Sequence, residues 1–359
     1  MLRWATLGLL LLLAGCATSP LAQLETATPT LSRGQVAELQ KRAQTPETLG
    51  IRMELSAETA IFSRINEIDA RKTVTLPLVK VPTGDRRAAG GNFRVPIVAA
   101  TVNGRAGVHV LLDSGSNGQF FGYSLAHELG IPIIGGTKPI TSMGIGGAVD
   151  NYLAVVPTLR FGSTELRRWL ARIGPDSQAL SLTHGLLGGK QGMIFGINAL
   201  KQLSFLTIDS LAGQMTLAPR DQYLPNQTSG FATAVPMRWL GDLPCVDISI
   251  DGHGTFPCLL DTGGDYGLLL PRTRAEEFGY WKPGRGAVNA SRGVGGAGLD
   301  TRYEVKQAKV GGATIVKIPG QTILIGPEPA GGEILLGNQV LRSYRVTFDF
   351  RRNVVWLER

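Results

Sequence analysis

Two tripeptides of the same kind stand far apart in the chain, Asp113-Ser114-Gly115 and Asp261-Thr262-Gly263. Each follows a largely apolar run, at residues 108–112 and 256–260, and such a run ending at a polar turn is typical of a buried strand. Two carboxylates held side by side cannot both ionise cheaply, so one keeps its proton while the other acts as a base. The paired motifs therefore predict a water molecule that is activated between Asp113 and Asp261.

The surroundings of the two motifs repeat in the same order. Upstream of each lies a hairpin signal, Asn103-Gly104 or Asp251-Gly252, because these pairs supply the positive φ angles of a two-residue turn. Downstream of each come a Gly-rich segment, an apolar segment that ends in glycine, and a closing strand with a turn. The repeat is far longer than that of a solenoid, so the sequence predicts two similar lobes.

The apolar segments of this repeat are Ile194-Phe195-Gly196 and Leu335-Leu336-Gly337. Both end in a glycine, Gly196 or Gly337, which has no Cβ and lets two backbones cross closely.

With these motifs in this order, the chain resembles the aspartic proteases of the pepsin and retropepsin kind from about residue 95 to residue 359. The resemblance implies an all-β fold in which two homologous β-barrel-like lobes enclose a catalytic cleft, preceded by an N-terminal tether with short helices. It implies that Asp113 and Asp261 are the catalytic residues, and that the two lobe glycines, Gly196 and Gly337, lie beside the loops that follow them. It also implies a supporting role in the catalytic loops for Ser114, Gly115, Ser116, Thr262, Gly263 and Gly264.

The Gly-rich segments resemble the flaps that cover the substrate in this family. They are closer to the retroviral pattern than to the pepsin one, since neither contains a Tyr-Gly tip. The flap residues implied by the resemblance are Gly144, Ile145, Gly146, Gly147, Gly293, Val294, Gly295 and Gly296.

The resemblance implies peptide-bond hydrolysis without a metal or a cofactor. The ionised aspartate takes a proton from the water, and the protonated one donates to the peptide carbonyl oxygen. Which of the two carries the proton is a property of the coupled pair, and the sequence leaves it open. In pepsin-like enzymes a hydroxyl three residues after each aspartate supports the carboxylate. Ser116 supplies one here, whereas Gly264 does not.

The N-terminus predicts a route to the cell envelope. Residues 1–15 have a basic start and a short apolar run, which is typical of a signal peptide. They end in Leu13-Ala14-Gly15 before Cys16, which resembles a bacterial lipobox, so we expect Cys16 to be lipidated and the chain to be anchored to a membrane. Ala17 after the cysteine favours the outer membrane, facing the periplasm.

Residues 16–92 differ in character from the lobes, which we place at residues 93–222 and 223–359. They begin with a Ser-, Thr- and Pro-rich tether, followed by two segments with serine N-caps that predict helices at 32–44 and 56–72. This region is either a propeptide that occupies the cleft or a spacer that packs on the first lobe.

Cys245 and Cys258 flank the Asp251-Gly252 turn on strands that we expect to be adjacent. The sequence leaves open whether they form a disulfide in an oxidising compartment or remain two free buried thiols.

Other functions lack support in the sequence. The net charge is +8, but the basic residues are scattered, which argues against nucleic acid as a partner. Residues 293–298 have the spacing G-x-G-x-x-G without the preceding strand and following helix of a dinucleotide site. The four histidines lack the spacing of a metal site. Apolar residues near the motifs are candidates for substrate subsites or for the core, namely Phe120, Phe121, Leu268 and Leu269.

We therefore expect an envelope-anchored aspartic endopeptidase acting on peptide or protein substrates. We expect a monomer because one chain supplies both aspartates, and additional dimerisation is left open. The alternative is an inactive lipoprotein that binds an extended peptide in the same cleft.

Overall fold

The structure is a computed structural model, and it describes residues 30–55, 60–81, 93–144, 147–176, 192–226, 230–293, 296–325 and 332–359. Most of these residues lie in strands, because apolar side chains recur at alternate positions or in short buried runs. In residues 243–250, for example, the side chains alternate between the core and the surface over the last four positions.

The elements follow one another in the order of the repeat. The segment before the first lobe contains α1 (Arg33–Lys41), β1 (Arg52–Leu55), β2 (Ala60–Ser63), β3 (Glu67–Asp69) and β4 (Val74–Pro77). The first half contains β5 (Ile97–Val102), β6 (Arg105–Asp113), β7 (Gln119–Gly122), α2 (Tyr123–Glu128), β8 (Ile140–Gly144), β9 (Gly147–Phe161), β10 (Thr164–Gly174), β11 (Gly192–Gly196), a 3-10 helix (Ile197–Gln202), β12 (Phe205–Asp209) and β13 (Gln214–Ala218). The second half contains β14 (Ala232–Pro236), β15 (Arg238–Leu240), β16 (Leu243–Ile250), β17 (Thr255–Asp261), β18 (Leu268–Leu269), α3 (Arg272–Glu277), β19 (Val288–Gly293), β20 (Gly296–Val310), β21 (Ala313–Ile325), β22 (Ile334–Gly337), α4 (Asn338–Leu341), β23 (Arg345–Asp349) and β24 (Val354–Glu358).

The two lobes have the same strand order. In the first lobe β5, β6, β11, β7, β10 and β9 close on themselves, because β9 pairs with both β10 and β5. In the second lobe β16, β17, β22, β18, β21 and β20 close in the same way, because β20 pairs with both β21 and β16. The predicted all-β fold with two homologous barrel-like lobes is confirmed.

A third sheet joins the two halves in the order β14-β24-β23-β12-β13-β4. At its centre β12 of the first half pairs antiparallel with β23 of the second, with Thr207 opposite Thr347. The hydroxyls of these two buried threonines are 2.8 Å apart. The lobes are thus joined by a continuous hydrogen-bonded ladder.

The residues before the first lobe are built into the sheets. Ser32 caps α1 with a capping box, which confirms a helix in the predicted region, although it ends at Lys41. The predicted helix at 56–72 is wrong, since β2 and β3 occupy part of it, and residues 56–59 lie outside the described residues. The reason is tertiary: β3 adds to the edge of β10, whose backbone groups would otherwise lack partners.

The two predicted turns differ in length. Asn103 and Gly104 have φ angles of 47° and 82° and connect β5 to β6 directly, as predicted. The two-residue turn predicted at Asp251-Gly252 is wrong, because the strands resume only at Thr255. The Asp251 carboxylate accepts a hydrogen bond from the backbone of Gln307, 2.7 Å away, which holds the longer loop against β20.

The four apolar residues near the motifs belong to the core. Phe120, Phe121, Leu268 and Leu269 are all buried. Among the described residues, we find no helix with the length and apolar character that a membrane span requires.

Candidate active site

Each motif aspartate is the last residue of a buried strand. β6 ends at Asp113 and β17 ends at Asp261, and the last four residues of both strands are buried. Each of these strands pairs in parallel with the strand that ends in the glycine of the same lobe, β6 with β11 and β17 with β22. Gly196 is therefore opposite Asp113, and Gly337 is opposite Asp261. The lobe glycines lie where the sequence predicts them.

These glycines leave room for the loop that follows each aspartate. A Cβ at Gly196 would collide with the carbonyl oxygen of Ser116 and lie 3.0 Å from the backbone nitrogen of Gly118. A Cβ at Gly337 would collide with the carbonyl oxygen of Tyr266. Because the obstacles are backbone atoms that cannot rotate away, both positions require glycine.

The second residues of the motifs hold the lobes together. The Ser114 backbone donates to Thr262 Oγ1 (3.0 Å), and that hydroxyl donates to the carbonyl of Leu112 (2.7 Å). In the reciprocal direction the Thr262 backbone donates to Ser114 Oγ (2.9 Å), which donates to the carbonyl of Leu260 (2.5 Å). All four bonds are buried and cross between the lobes, so they fix the relative position of the two aspartates.

The third residues place each carboxyl group against the opposite loop. An added Cβ at Gly115 would lie 2.6 Å from Asp261 Cγ, and one at Gly263 would lie 2.5 Å from Asp113 Cγ. Each loop also donates a backbone hydrogen bond to its own aspartate, from Gly115 and from Gly264, both at 2.8 Å. Only glycine fits between the carboxylates and the facing backbone.

Asp113 and Asp261 form a buried pair in which each is 8% exposed, and their carboxyl groups are hydrogen-bonded to each other. Burial and then the charge of Asp261 raise the pKa of Asp113 well above its ordinary value. Burial also raises the pKa of Asp261, while hydrogen bonds from Tyr266 and Asp113 oppose that rise. The two carboxyl groups therefore titrate as a pair, in which one proton is kept to higher pH than on a free aspartate.

The hydroxyl support of the two aspartates is unequal. Ser116 Oγ donates to the carbonyl of Gly118 (3.0 Å), so the hydrogen bond that it was expected to give Asp113 is not formed. At the other aspartate the Tyr266 hydroxyl donates to Asp261 Oδ2. Tyr266 is not among the site residues predicted from the sequence. The sequence contains one signal for it: Gly264, two positions before Tyr266, stands where a hydroxyl-bearing residue was expected.

The Gly-rich segments form hairpins, as flaps would. β8 and β9 are paired up to Gly144 and Gly147, and β19 and β20 are paired up to Gly293 and Gly296. The tip residues Ile145, Gly146, Val294 and Gly295 lie outside the described residues.

Cys245 and Cys258 are free and buried, so the disulfide that the sequence left open is not formed. In the pairing of β16 with β17, Cys245 is opposite Leu259 and Cys258 is opposite Val246. Side chains alternate between the two faces of a sheet, so this one-residue offset directs the thiols to opposite faces. Across the ranges that the structure describes, no group of three or more His, Cys, Asp or Glu side chains is arranged to hold a metal ion.

A comparison with known protein families gave a match. Residues 98–197 match the sequence model of the aspartyl protease family. This part of the chain is therefore similar to that family. The match runs from β5 to the start of the 3-10 helix and includes Asp113, the first Gly-rich hairpin and Gly196. It confirms the retropepsin-like recognition and supports a protease role for the chain. A comparison with curated proteins gave no match.

Proposed function

We propose that the chain is an aspartic endopeptidase, in which Asp113 and Asp261 activate the water that hydrolyses a peptide bond. The observation that carries this proposal is the buried, hydrogen-bonded carboxyl pair. The reciprocal bonds of Ser114 and Thr262 hold that pair in place. A structural ion pair would bring opposite charges together, whereas this site brings together two acids, an arrangement that costs stability and suits proton transfer.

The mechanism uses one shared proton. The ionised aspartate accepts a proton from water while the water oxygen attacks the peptide carbonyl carbon, and the protonated aspartate donates its proton to the carbonyl oxygen. When the resulting tetrahedral intermediate collapses, one aspartate donates its proton to the departing nitrogen, the other takes a proton back from a hydroxyl of the intermediate, and the C–N bond breaks. One carboxylic acid and one amine leave, and the pair again holds a single proton.

The test is cleavage of a mixed peptide library by the chain without residues 1–16, from about pH 3 to pH 8, beside Asp113→Asn and Asp261→Asn. Asn keeps the shape of Asp and removes its acid–base function, so both variants should lose roughly 10² to 10⁴ in rate while they keep the fold. Peptide binding by the two variants is measured in parallel. Absence of cleavage by the folded wild type at every pH, together with peptide binding, would instead favour an inactive protein that binds an extended peptide in the cleft.

One chain supplies both aspartates, so we propose that the monomer is the active form. Specific activity should then stay constant when the enzyme is diluted well below the concentration at which sedimentation detects any dimer. A loss of specific activity on dilution would contradict this.

We also propose that the chain is anchored to the envelope through Cys16. The support is the sequence Leu13-Ala14-Gly15-Cys16 after an apolar run, and these residues lie outside the described part of the chain. Metabolic labelling with a fatty acid in a Gram-negative host should label the wild type and spare Cys16→Ala. Fractionation should then find the wild type in the outer membrane, and equal labelling of both proteins would refute the proposal.

A further inference from the structure

Tyr266 is packed directly behind Asp261. Its hydroxyl donates to Asp261 Oδ2, and the side chain is only 5% exposed. The ring occupies the space over two glycines, since a Cβ at Gly264 or at Gly337 would collide with it. The loop is therefore shaped around this one phenol.

The two catalytic loops carry glycine and a hydroxyl-bearing residue in opposite order. Three residues after the aspartate, the first loop has Ser116 and the second has Gly264; five residues after it, the first has Gly118 and the second has Tyr266. In the first loop the Ser116 hydroxyl is used on the Gly118 carbonyl, and Asp113 receives hydrogen bonds from the backbone of Gly115 and Ser116. Among the described residues, a side-chain hydroxyl thus supports only one member of this otherwise symmetric pair.

A donor to a carboxylate stabilises its charged form, and burial disfavours charge on both aspartates alike. We infer that Tyr266 is a positioning residue that keeps the negative charge of the pair on Asp261, so that Asp261 is the base and Asp113 is the acid. This inference rests on the proposed function. The hydrogen bond from Tyr266 opposes the rise in the pKa of Asp261, and no side-chain hydroxyl in the described ranges does the same for Asp113.

The experiment is the pH profile of kcat/KM for peptide cleavage by the wild type, Tyr266→Phe and a control, Tyr303→Phe. Phe keeps the ring that fills the loop and removes only the donor. Without that donor the ionised Asp261 is less stable, so the acidic limb of the profile should move to higher pH by about 1 to 2 units. Tyr303 is a partly buried tyrosine of the same lobe whose hydroxyl bonds Thr322, so its variant should leave the limb in place.

A second variant strengthens the donor. With 3-fluorotyrosine at position 266 the phenol is more acidic, so the acidic limb should move to lower pH. If Tyr266→Phe does not fold, the fluorotyrosine enzyme alone tests whether Tyr266 sets the position of the acidic limb. Limbs that stay in place in an active Tyr266→Phe enzyme, or in the fluorotyrosine enzyme, would overturn the role of Tyr266 while leaving the proposed function intact. Absence of cleavage by the wild type would overturn both.

A separate observation is a cavity of about 440 Å³ beside the first catalytic loop. Its lining includes Asn117 and Gly118 of that loop, Asn198 and Lys201 of the 3-10 helix, and Asp242, which pairs with Lys201. Arg172, near the end of β10, also lines it. The cavity thus adjoins the residues that follow Asp113 in the first catalytic loop.

Arg172 connects the loop to the flap hairpin. Its guanidinium donates to Ser142 Oγ of β8 (3.1 Å), lies 3.5 Å from Asn117 Oδ1 and stands 5.1 Å from the centre of the Phe120 ring. No carboxylate of the described residues forms a salt bridge with it, whereas the Lys201 ammonium is 3.0 Å from Asp242. Burial lowers the pKa of Arg172, and no charged neighbour in the part of the chain that the structure describes opposes that effect.

A partly buried guanidinium without a counter-ion is costly to hold, and its planar fork fits a carboxylate in two parallel hydrogen bonds. We propose that this cavity is a subsite for an acidic side chain of the substrate. The proposal names a substrate class for the proposed peptidase and rests on that function. Asn117 is four residues from Asp113 in the chain, so the acidic residue would lie a few positions from the bond that is cleaved.

The experiment uses peptides of one cleavable sequence in which Ala, Asp, Glu or Lys is placed at each of the four positions on either side of the cleaved bond. At one position Asp or Glu should lower KM by about tenfold or more, with little change in kcat. Arg172→Gln should abolish that preference and Arg172→Glu should reverse it towards Lys. Arg160→Gln, which changes an arginine of the same lobe paired with Glu165, should retain it. Cleavage with no acidic preference at any position, or a preference that survives Arg172→Gln, would overturn the subsite alone. Absence of any cleavage would overturn the peptidase.

Discussion

The hydrogen bonds between the lobes make Thr262→Val the most informative change outside the aspartates. Thr262 is 1% exposed, and its hydroxyl both donates to the Leu112 carbonyl and accepts from the Ser114 backbone. Valine has the same shape, so no cavity forms, but two buried polar groups of the other lobe lose this partner. An unsatisfied buried group costs about 1 to 3 kcal/mol, which gives a loss of about 2 to 6 kcal/mol in the free energy of unfolding.

Urea unfolding followed by circular dichroism measures this loss. Thr255→Val is a matched control, since it lies on the same strand but is exposed, with its hydroxyl 2.8 Å from that of Ser249. The control should change the free energy of unfolding by no more than about 0.5 kcal/mol. If Thr262→Val is as stable as the control, the inter-lobe bonds do not hold the site together, and the reasoning fails.

Three further changes test other parts of the account. Gly196→Ala places a Cβ against the Ser116 carbonyl and should lower the free energy of unfolding by about 1 to 3 kcal/mol in the same assay; an unchanged urea midpoint would contradict this. The pKa of Asp113 is raised in the folded protein, so the wild type should lose stability as the pH rises above about 4. Asp113→Asn should therefore be as stable as the wild type near pH 3 and more stable than the wild type at pH 7 in urea unfolding. A stability difference that does not change with pH would contradict this. Burial raises the pKa of the Cys258 thiol, and both Cys245 and Cys258 are free and buried, so iodoacetamide should modify them only after the protein is unfolded in urea. Mass spectrometry should show that this modification needs no reductant; thiols that react only after reduction would indicate a disulfide.

The sequence predicted the parts of the site that depend on local chemistry. Asp113 and Asp261 end apolar runs, so strand geometry places them at matching ends of duplicated lobes. Gly196 and Gly337 mark backbone crossings that exclude a side chain. Both are properties of a residue type and its immediate neighbours, and a single sequence displays them.

The parts that escaped prediction depend on contacts between distant segments. Tyr266 reaches Asp261 only because the loop after the strand folds back over Gly264. The residues of β3 form a strand because the edge of β10 is available to them, against the helical preference of the surrounding sequence. The separation of Cys245 from Cys258 follows from a pairing register that residue spacing does not determine.

The central claim is that Asp113 and Asp261 act as one catalytic unit, and the most direct test is a double-variant cycle on peptide cleavage. Rates are measured for the wild type, Asp113→Asn, Asp261→Asn and the double variant, each checked for its fold by circular dichroism. Because the two groups share one proton, each single change should cost nearly as much as both together, roughly 10² to 10⁴ in kcat. A single variant that keeps wild-type activity, or losses that multiply in the double variant, would show that the two aspartates do not work as a pair.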